Sequence, residues 1–255
     1  MAEATTVTGA WVRRFHPADT ARARLVCFPH AGGSASYYFP VSRALSPRLD
    51  VLAVQYPGRQ DRRSERCLTD VRDLADAVAA ELLPWCDRPT ALFGHSLGAT
   101  VAFEVALRLQ EAGTAPLMLF ASGRRAPSLP REGERVHLSC DDELVATLRR
   151  MSGTNAAVLA DEELMHSLLP AVRGDYRAAE TYRYRPGPSL VCPIQVLNGE
   201  ADEEVTAEEA RGWSRHSVAG CTLSWFTGGH FYLTDNAPEV IRLLEDEIGK
   251  LLPRG

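Results

Sequence analysis

The stretch "ALFGHSLGAT", residues 91–100, joins an apolar run to a helix-like segment through Gly94, His95, Ser96, Leu97 and Gly98. A glycine in a strand or helix costs up to about 1 kcal/mol relative to alanine, so two of them around one serine mark a place that needs space. The run fits G-x-S-x-G. Where that pattern follows a strand and opens a helix, the serine sits on a sharp, strained turn, and small neighbours let the two backbones pass close to it. Ser96 Oγ is then projected from the end of a sheet. The pattern alone is weak because glycine is common; its weight comes from the strand-turn-helix setting.

That setting recurs along the chain. Apolar runs bounded by turn residues occur at "ARLVCFP" (23–29), "DVLAVQYP" (50–57), "TALFGH" (90–95), "PLMLFASG" (116–123), "CPIQVLNG" (192–199) and "CTLSWFTG" (221–228). Near-continuous apolar strands of this kind suit a parallel sheet covered on both faces. Helical patterns alternate with them. Val71, Leu74, Val78 and Leu82 are helically spaced behind a cap at Thr69 or Asp70. Residues 97–113 end on the stop signal Gly113, and Thr206 with Glu209 forms a capping box. Val240, Leu244, Ile248 and Leu251 align on the last helix. The alternation predicts an α/β fold. From about residue 127 to 189 no strand is legible, and "DDELVATLRRMSG" and "DEELMHSLLPAVRGDYRAAETYRY" are helical. This block reads as an inserted lid within a single domain over 1–255, or else as a longer crossover.

Composition narrows the class. The 255 residues are 45% apolar and 24% charged, enough for a substantial core, and the formal charge of −5 provides no basic field for nucleic acid. The amino terminus has no apolar targeting segment and no run is long enough to span a bilayer, so a cytoplasmic protein without a membrane partner is expected. The six cysteines form no CxxC pair and several lie in strand-like runs, which predicts buried free thiols. The histidines show no HExxH spacing, and neither a metal nor a cofactor is expected. Lys250 is the only lysine, and the arginines at 59, 62, 63, 124, 125 and 131 read by default as a solvated loop surface.

A serine hydroxyl needs a base, and the base needs an orienting group. In this class of fold the chain order is Ser, acid, His, each at a strand end. "EADEE" after the fifth run offers Glu200, Asp202, Glu203 and Glu204, and Asp202 is preferred over Glu200 for its place in the loop. "GHFYL" after the last run offers His230. His95 lies inside the elbow, whereas His16, His137, His166 and His216 follow no suitable strand. Attack on a carbonyl also needs two oxyanion donors. The backbone N–H of Leu97 is one candidate, and that of Ala31 in "FPHAGGSASYY" (28–38) is the other.

With these residues in place the chain resembles the type II thioesterases, the stand-alone editing enzymes of polyketide and nonribosomal peptide synthesis. The resemblance is carried by "CFPHAGGSAS" (27–36), "VQYPGRQDRRSE" (54–65), "LFGHSLGA" (92–99), "SGRRAP" (122–127), "LLPAVRGDYRAAETYRY" (168–184), "CPIQVLNGEAD" (192–202) and "FTGGHFYL" (226–233). Many relatives carry methionine where Leu97 stands here. The resemblance implies an α/β-hydrolase fold with a helical lid, a Ser96–His230–Asp202 triad and an oxyanion hole from Ala31 and Leu97. It implies acyl or peptidyl carrier proteins bearing phosphopantetheine thioesters as partners, and a monomer is expected. In the lid, Leu144, Val145, Leu148, Leu164, Leu168, Leu169 and Val172 are expected mainly to pack helix on helix. A carboxylesterase or lipase with the same triad, a product-releasing cyclase, and a non-catalytic binding protein on a hydrolase scaffold remain alternatives.

Overall fold

The computed structural model describes residues 6–151 and 161–252. Each of the six apolar runs forms a strand: β3 (Arg24–Phe28), β4 (Asp50–Val54), β5 (Thr90–His95), β6 (Met118–Ser122), β7 (Ile194–Gly199) and β8 (Cys221–Phe226). Two short strands that the sequence did not suggest, β1 (Thr6–Thr8) and β2 (Val12–Arg14), extend one edge. Among the described residues the sheet has eight strands in the order β1-β2-β4-β3-β5-β6-β7-β8. β1 pairs with β2, and β2 with β4, antiparallel, and every later pair is parallel. This mostly parallel sheet flanked by helices has the α/β-hydrolase order.

β2 escaped sequence reading because a "VRR" triplet looks like polar chain. Its arginines are buried through pairing: Arg13 Nη2 donates to Asp61 Oδ2, and Arg14 donates from Nε and Nη2 to Asp50 Oδ1 at 3.0 and 2.9 Å, where Arg24 Nε of β3 also reaches Asp50 Oδ2 at 3.1 Å. A charge survives burial only when paired and hydrogen-bonded.

Side chains alternate across the strands. Val26, Phe28, Leu52 and Val54 face α2 (Val71–Leu82) and α3 (Leu97–Glu111), while Leu25, Cys27, Val51 and Ala53 face α1 (Phe39–Leu45) and α8 (Ala237–Leu251). Asp70 takes the cap of α2, accepting from Arg72 N at 2.7 Å. The Thr206–Glu209 capping box is present, on a short helix α6 (Ala207–Arg211), and another short helix, α7 (Tyr232–Asp235), follows β8. On α8, Val240, Leu244 and Ile248 are buried, but Leu251 is exposed where the helix runs past the sheet. Among the cysteines Cys27 and Cys192 are buried, Cys67, Cys86 and Cys221 partly so, and Cys140 is exposed.

Between β6 and β7 the described residues hold α4 (Asp141–Met151) and α5 (Glu162–Thr181) and no strand, and residues 152–160 of the expected lid lie outside them. Leu144, Leu148, Leu169 and Val172 pack with Met165 in a small cluster of their own, with Val145 and Leu168 against it; Leu164 is exposed instead.

Register places the site. Phe28 pairs with Gly94, His95 with Ser122 and Gly199 with Phe226, so the carboxyl ends of the central parallel strands finish nearly level. Ligands in open α/β sheets bind outside such ends. The level finish depends on tight contacts at the elbow. A Cβ on Gly94 would lie 2.2 Å from Gly98 O, and one on Gly98 would lie 2.1 Å from Phe28 O. Both obstacles are backbone. Gly98→Ala is therefore expected to destabilise the protein by at least about 2 kcal/mol, read as a fall in Tm of roughly 4 °C or more.

Candidate active site

β5 ends at His95, α3 begins at Leu97, and Ser96 alone makes the turn, with φ 54° and ψ −120°. Among the described residues only Ser96 and Gln60 are non-glycines with positive φ. Such strain persists only where surrounding structure enforces it. Here Ser96 N donates to Ser122 O at 2.9 Å while Ala99 N donates to Ser96 O at 3.0 Å, which fixes both sides of the turn.

The loops after β7 and β8 are laced together by Glu200 N to Phe226 O (2.8 Å) and Ala201 N to Gly228 O (2.9 Å). This brings Asp202 to His230. His230 Nδ1 lies 3.0 Å from Oδ2 and 3.2 Å from Oδ1, and both side chains are buried. Asp202 Oδ1 also accepts from Glu204 N at 2.8 Å, which holds the carboxylate still. Glu200 is exposed. A carboxylate can only accept, so it fixes the tautomer with the proton on Nδ1 and leaves Nε2 as a base.

His230 Nε2 is buried and has no hydrogen-bond partner among the described residues. It opens on a cavity of about 110 Å³ whose lining includes Ser96, Leu97, Ala31, His30 and His230. Structure thus brings all five expected residues to one place, although no hydrogen bond joins Ser96 Oγ to His230 in this conformation. As the first residue of α3, Leu97 has an amide with no intrahelical acceptor. Gly123, at φ 55°, lets the chain after β6 pass the imidazoles: a Cβ there would lie 2.6 Å from His95 Cε1 and 3.3 Å from His230 Cε1.

Sequence reasoning overlooked His30, although it immediately precedes Ala31 in a glycine-rich loop. Its ring stands edge-on to Tyr37 and Phe231, with centroids 4.8 and 4.9 Å away. Burial, helped by His230 and Arg59, pushes its pKa down to about 3. His95, whose Nδ1 meets Ser122 Oγ at 2.9 Å, is likewise driven well below the usual imidazole range by burial. Both flank His230 as neutral rings, so neither opposes a positive charge appearing on it.

The solvated-arginine expectation fails for most of its members. Arg59, Arg62 and Arg125 are buried, forking onto Asp175, Glu65 and Glu134. Arg124 is half-buried, with Nε on Thr100 Oγ1 at 3.1 Å, and Arg131 is held by Glu209; Arg63 is exposed. Charge in a loop sequence says nothing about whether its partner is water or a distant carboxylate.

A family model described as the thioesterase domain matches residues 23–248. The chain belongs to the thioesterase family. It is 53% identical over 230 residues to a probable cadicidin biosynthesis thioesterase of Streptomyces griseus, covering 90% of this chain but 63% of that relative's length. Thioesterase PikA5 of Streptomyces venezuelae is 48% identical, over 97% of this chain and 88% of that one. The solved structure of the type II thioesterase BorB, from the borrelidin biosynthetic cluster, superposes with a TM-score of 0.91 at 52% identity, covering 95% and 99% of the two chains. Within its family the chain groups with the type II thioesterases.

Two outcomes are expected. Asp202→Asn leaves its one oxygen to Glu204 N and turns an NH2 donor toward His230 Nδ1, which selects the wrong tautomer and should lower kcat by about 10³–10⁴-fold, while Glu200→Gln stays within about twofold because Glu200 is exposed; single-turnover thioester hydrolysis measures both. The second concerns stability. Unfolded His30 binds a proton below about pH 6.5, whereas the folded ring takes one only near 3. Stability is thus greatest above 6.5 and declines as pH falls, by about 1.4 kcal/mol per pH unit for each such histidine. His30→Gln should flatten that decline between pH 6 and 4 by one proton's worth in denaturant titrations.

Proposed function

We propose that this type II thioesterase hydrolyses acyl thioesters on the phosphopantetheine arm of acyl or peptidyl carrier proteins. Its role is to clear stalled or aberrant acyl groups in polyketide or nonribosomal peptide synthesis. Ser96 is the nucleophile, His230 the base and Asp202 the orienting acid. The observation that carries the reading is the pairing of Asp202 with His230 Nδ1, which leaves Nε2 unpartnered in the cavity that Ser96 lines.

As Ser96 Oγ attacks the thioester carbonyl, His230 Nε2 takes its proton. Charge on the carbonyl oxygen is met by the N–H groups of Ala31 and Leu97. The tetrahedral species collapses to an acyl-serine, expelling the pantetheine sulfur. A thiol with a pKa near 8.5 leaves with little acid assistance, so the proton on His230 matters less than in amide hydrolysis. The departing thiolate carries off the proton held by His230, and the neutral imidazole then takes a proton from the water that attacks the acyl-serine and passes it to Ser96 Oγ as the free acid leaves. The segment 127–189, with α4 and α5, acts as the lid of a single domain, and the enzyme works as a cytoplasmic monomer. Support for the substrate class comes from the relatives' named roles in antibiotic biosynthesis. The chemistry alone suits an oxygen esterase equally well.

Mass spectrometry of a panel of acylated carrier proteins tests this. Expected are the free acid and the unacylated carrier with the native protein, and at least a 10³-fold loss for Ser96→Ala. A strong preference for matched oxygen esters, a cyclic product, or undiminished turnover by Ser96→Ala would each overturn the reading.

A further inference from the structure

Two stretches that carry the family resemblance, around Gln55–Arg62 and Leu168–Tyr184, contribute nothing to the triad. We infer that Arg59 and Asp175 are positioning residues for the oxyanion hole: together they lock the peptide units that follow Ala31. The inference deepens the function proposed above and rests on it.

The contacts are specific. Asp175, near the middle of α5, accepts from Gly32 N at 2.8 Å through Oδ2. The same carboxylate forms a two-pronged pair with Arg59, Nη1 to Oδ2 at 2.6 Å and Nη2 to Oδ1 at 2.9 Å. Arg59 Nη1 also donates to Gly33 O at 3.1 Å, and Gly33 N turns back to His30 O at 2.9 Å. Every peptide unit is rigid, so holding Gly32 N and Gly33 O leaves Ala31 little torsional freedom. Gly32 adopts φ 75°, and a Cβ there would come within 2.9 Å of Val172 Cγ2, one turn before Asp175 on the same helix. A side chain here would meet both the strained φ and the Val172 methyl.

The loop after β4 braces the arrangement from the far side. Gln55 Oε1 accepts from Ala35 N at 2.8 Å, and Gln60 Nε2 donates to Ser34 and Ser36 Oγ at 2.9 and 2.7 Å. Gln60 is the second positive-φ non-glycine, at 48°. Both strained side-chain-bearing residues of the described structure therefore serve the two halves of one site.

Burial sharpens the point. The Arg59 and Asp175 side chains are 3% and 0% exposed. A buried ion pair recovers little more than its own desolvation, so such a pair is a poor device for stability alone; fixing the geometry of a loop is a role it can fill. α5 also contributes Tyr176, Ala179 and Glu180 to the cavity lining. The helix that borders the acyl group is thus the helix that anchors the oxyanion loop.

The test compares Asp175→Ala, Asp175→Asn and native protein on an acyl-pantetheine thioester and on the matching p-nitrophenyl ester. Each protein also receives two inhibitors: a trifluoromethyl ketone, which becomes an oxyanion on Ser96, and a thioether analogue, which binds without forming one. For Asp175→Ala we expect kcat to fall about 10²-fold, KM to move less than threefold, the trifluoromethyl ketone to weaken in parallel with kcat, and the thioether to bind as before. Asp175→Asn keeps an oxygen for Gly32 N and should recover at least tenfold of the loss. Were Asp175→Ala not to fold, Asp175→Asn carries the test by the same split between the two inhibitors. An unchanged kcat in folded Asp175→Ala, or equal weakening of both inhibitors, would overturn the inference. If native protein cleaves the oxygen ester but no thioester, the function proposed above fails while the inference is still judged on the ester.

Discussion

The backbone of Gly98 pressed against that of Phe28, and Gly94 against Gly98, is the constraint from which the active site follows. A helix this close to the sheet cannot begin gradually. The chain must leave β5 and enter α3 within one residue, and the only backbone conformation that does so is one that side-chain-bearing residues avoid. Ser96 occupies it because the parallel register, the bond from Ser96 N to Ser122 O and the packing of α3 over the sheet leave no alternative. Packing energy from the core thus holds a strained serine at the sheet's edge.

Around that serine the protein separates charge by function. Asp202 is buried with two donors. His230 has one nitrogen committed and one unpartnered. His30 and His95, packed beside it, are driven toward the neutral form by burial. Of the arginines nearby, Arg59, Arg62 and Arg125 are tied to carboxylates, while Arg124, which lines the cavity, donates to Thr100 Oγ1 and Ala179 O. The Arg59–Asp175 pair extends this economy to the oxyanion loop, using a desolvated pair to hold backbone in place.

Much of this was legible in the sequence because it is local. The six runs became strands since period and turn residues mark them directly, and the meeting of Ser96, Asp202 and His230 at one sheet edge could be anticipated because each follows a particular strand. What stayed hidden was non-local. β2 is stabilised by Arg14 reaching Asp50, thirty-six residues away, and Asp175 meets Arg59 across 116 residues; no spacing rule connects such positions. His30 was hidden for another reason. Its neutrality comes from burial between Tyr37, farther along the same loop, and Phe231, near the other end of the chain, so its letter reads like any surface histidine. Loop arginines misled because sequence gives a charge but not its partner.

The helical insertion leaves the sheet after β6 and returns at β7, two strands that lie side by side. Both of its ends are stitched into neighbouring rungs, so lengthening or recasting the segment shifts neither register nor elbow. Side chains that this segment lends to the cavity can therefore change without moving the elbow or the strand ends. The freedom has one limit: the turn bearing Val172 and Asp175 is shared property, and a lineage exploring new cargo must keep that turn where it is.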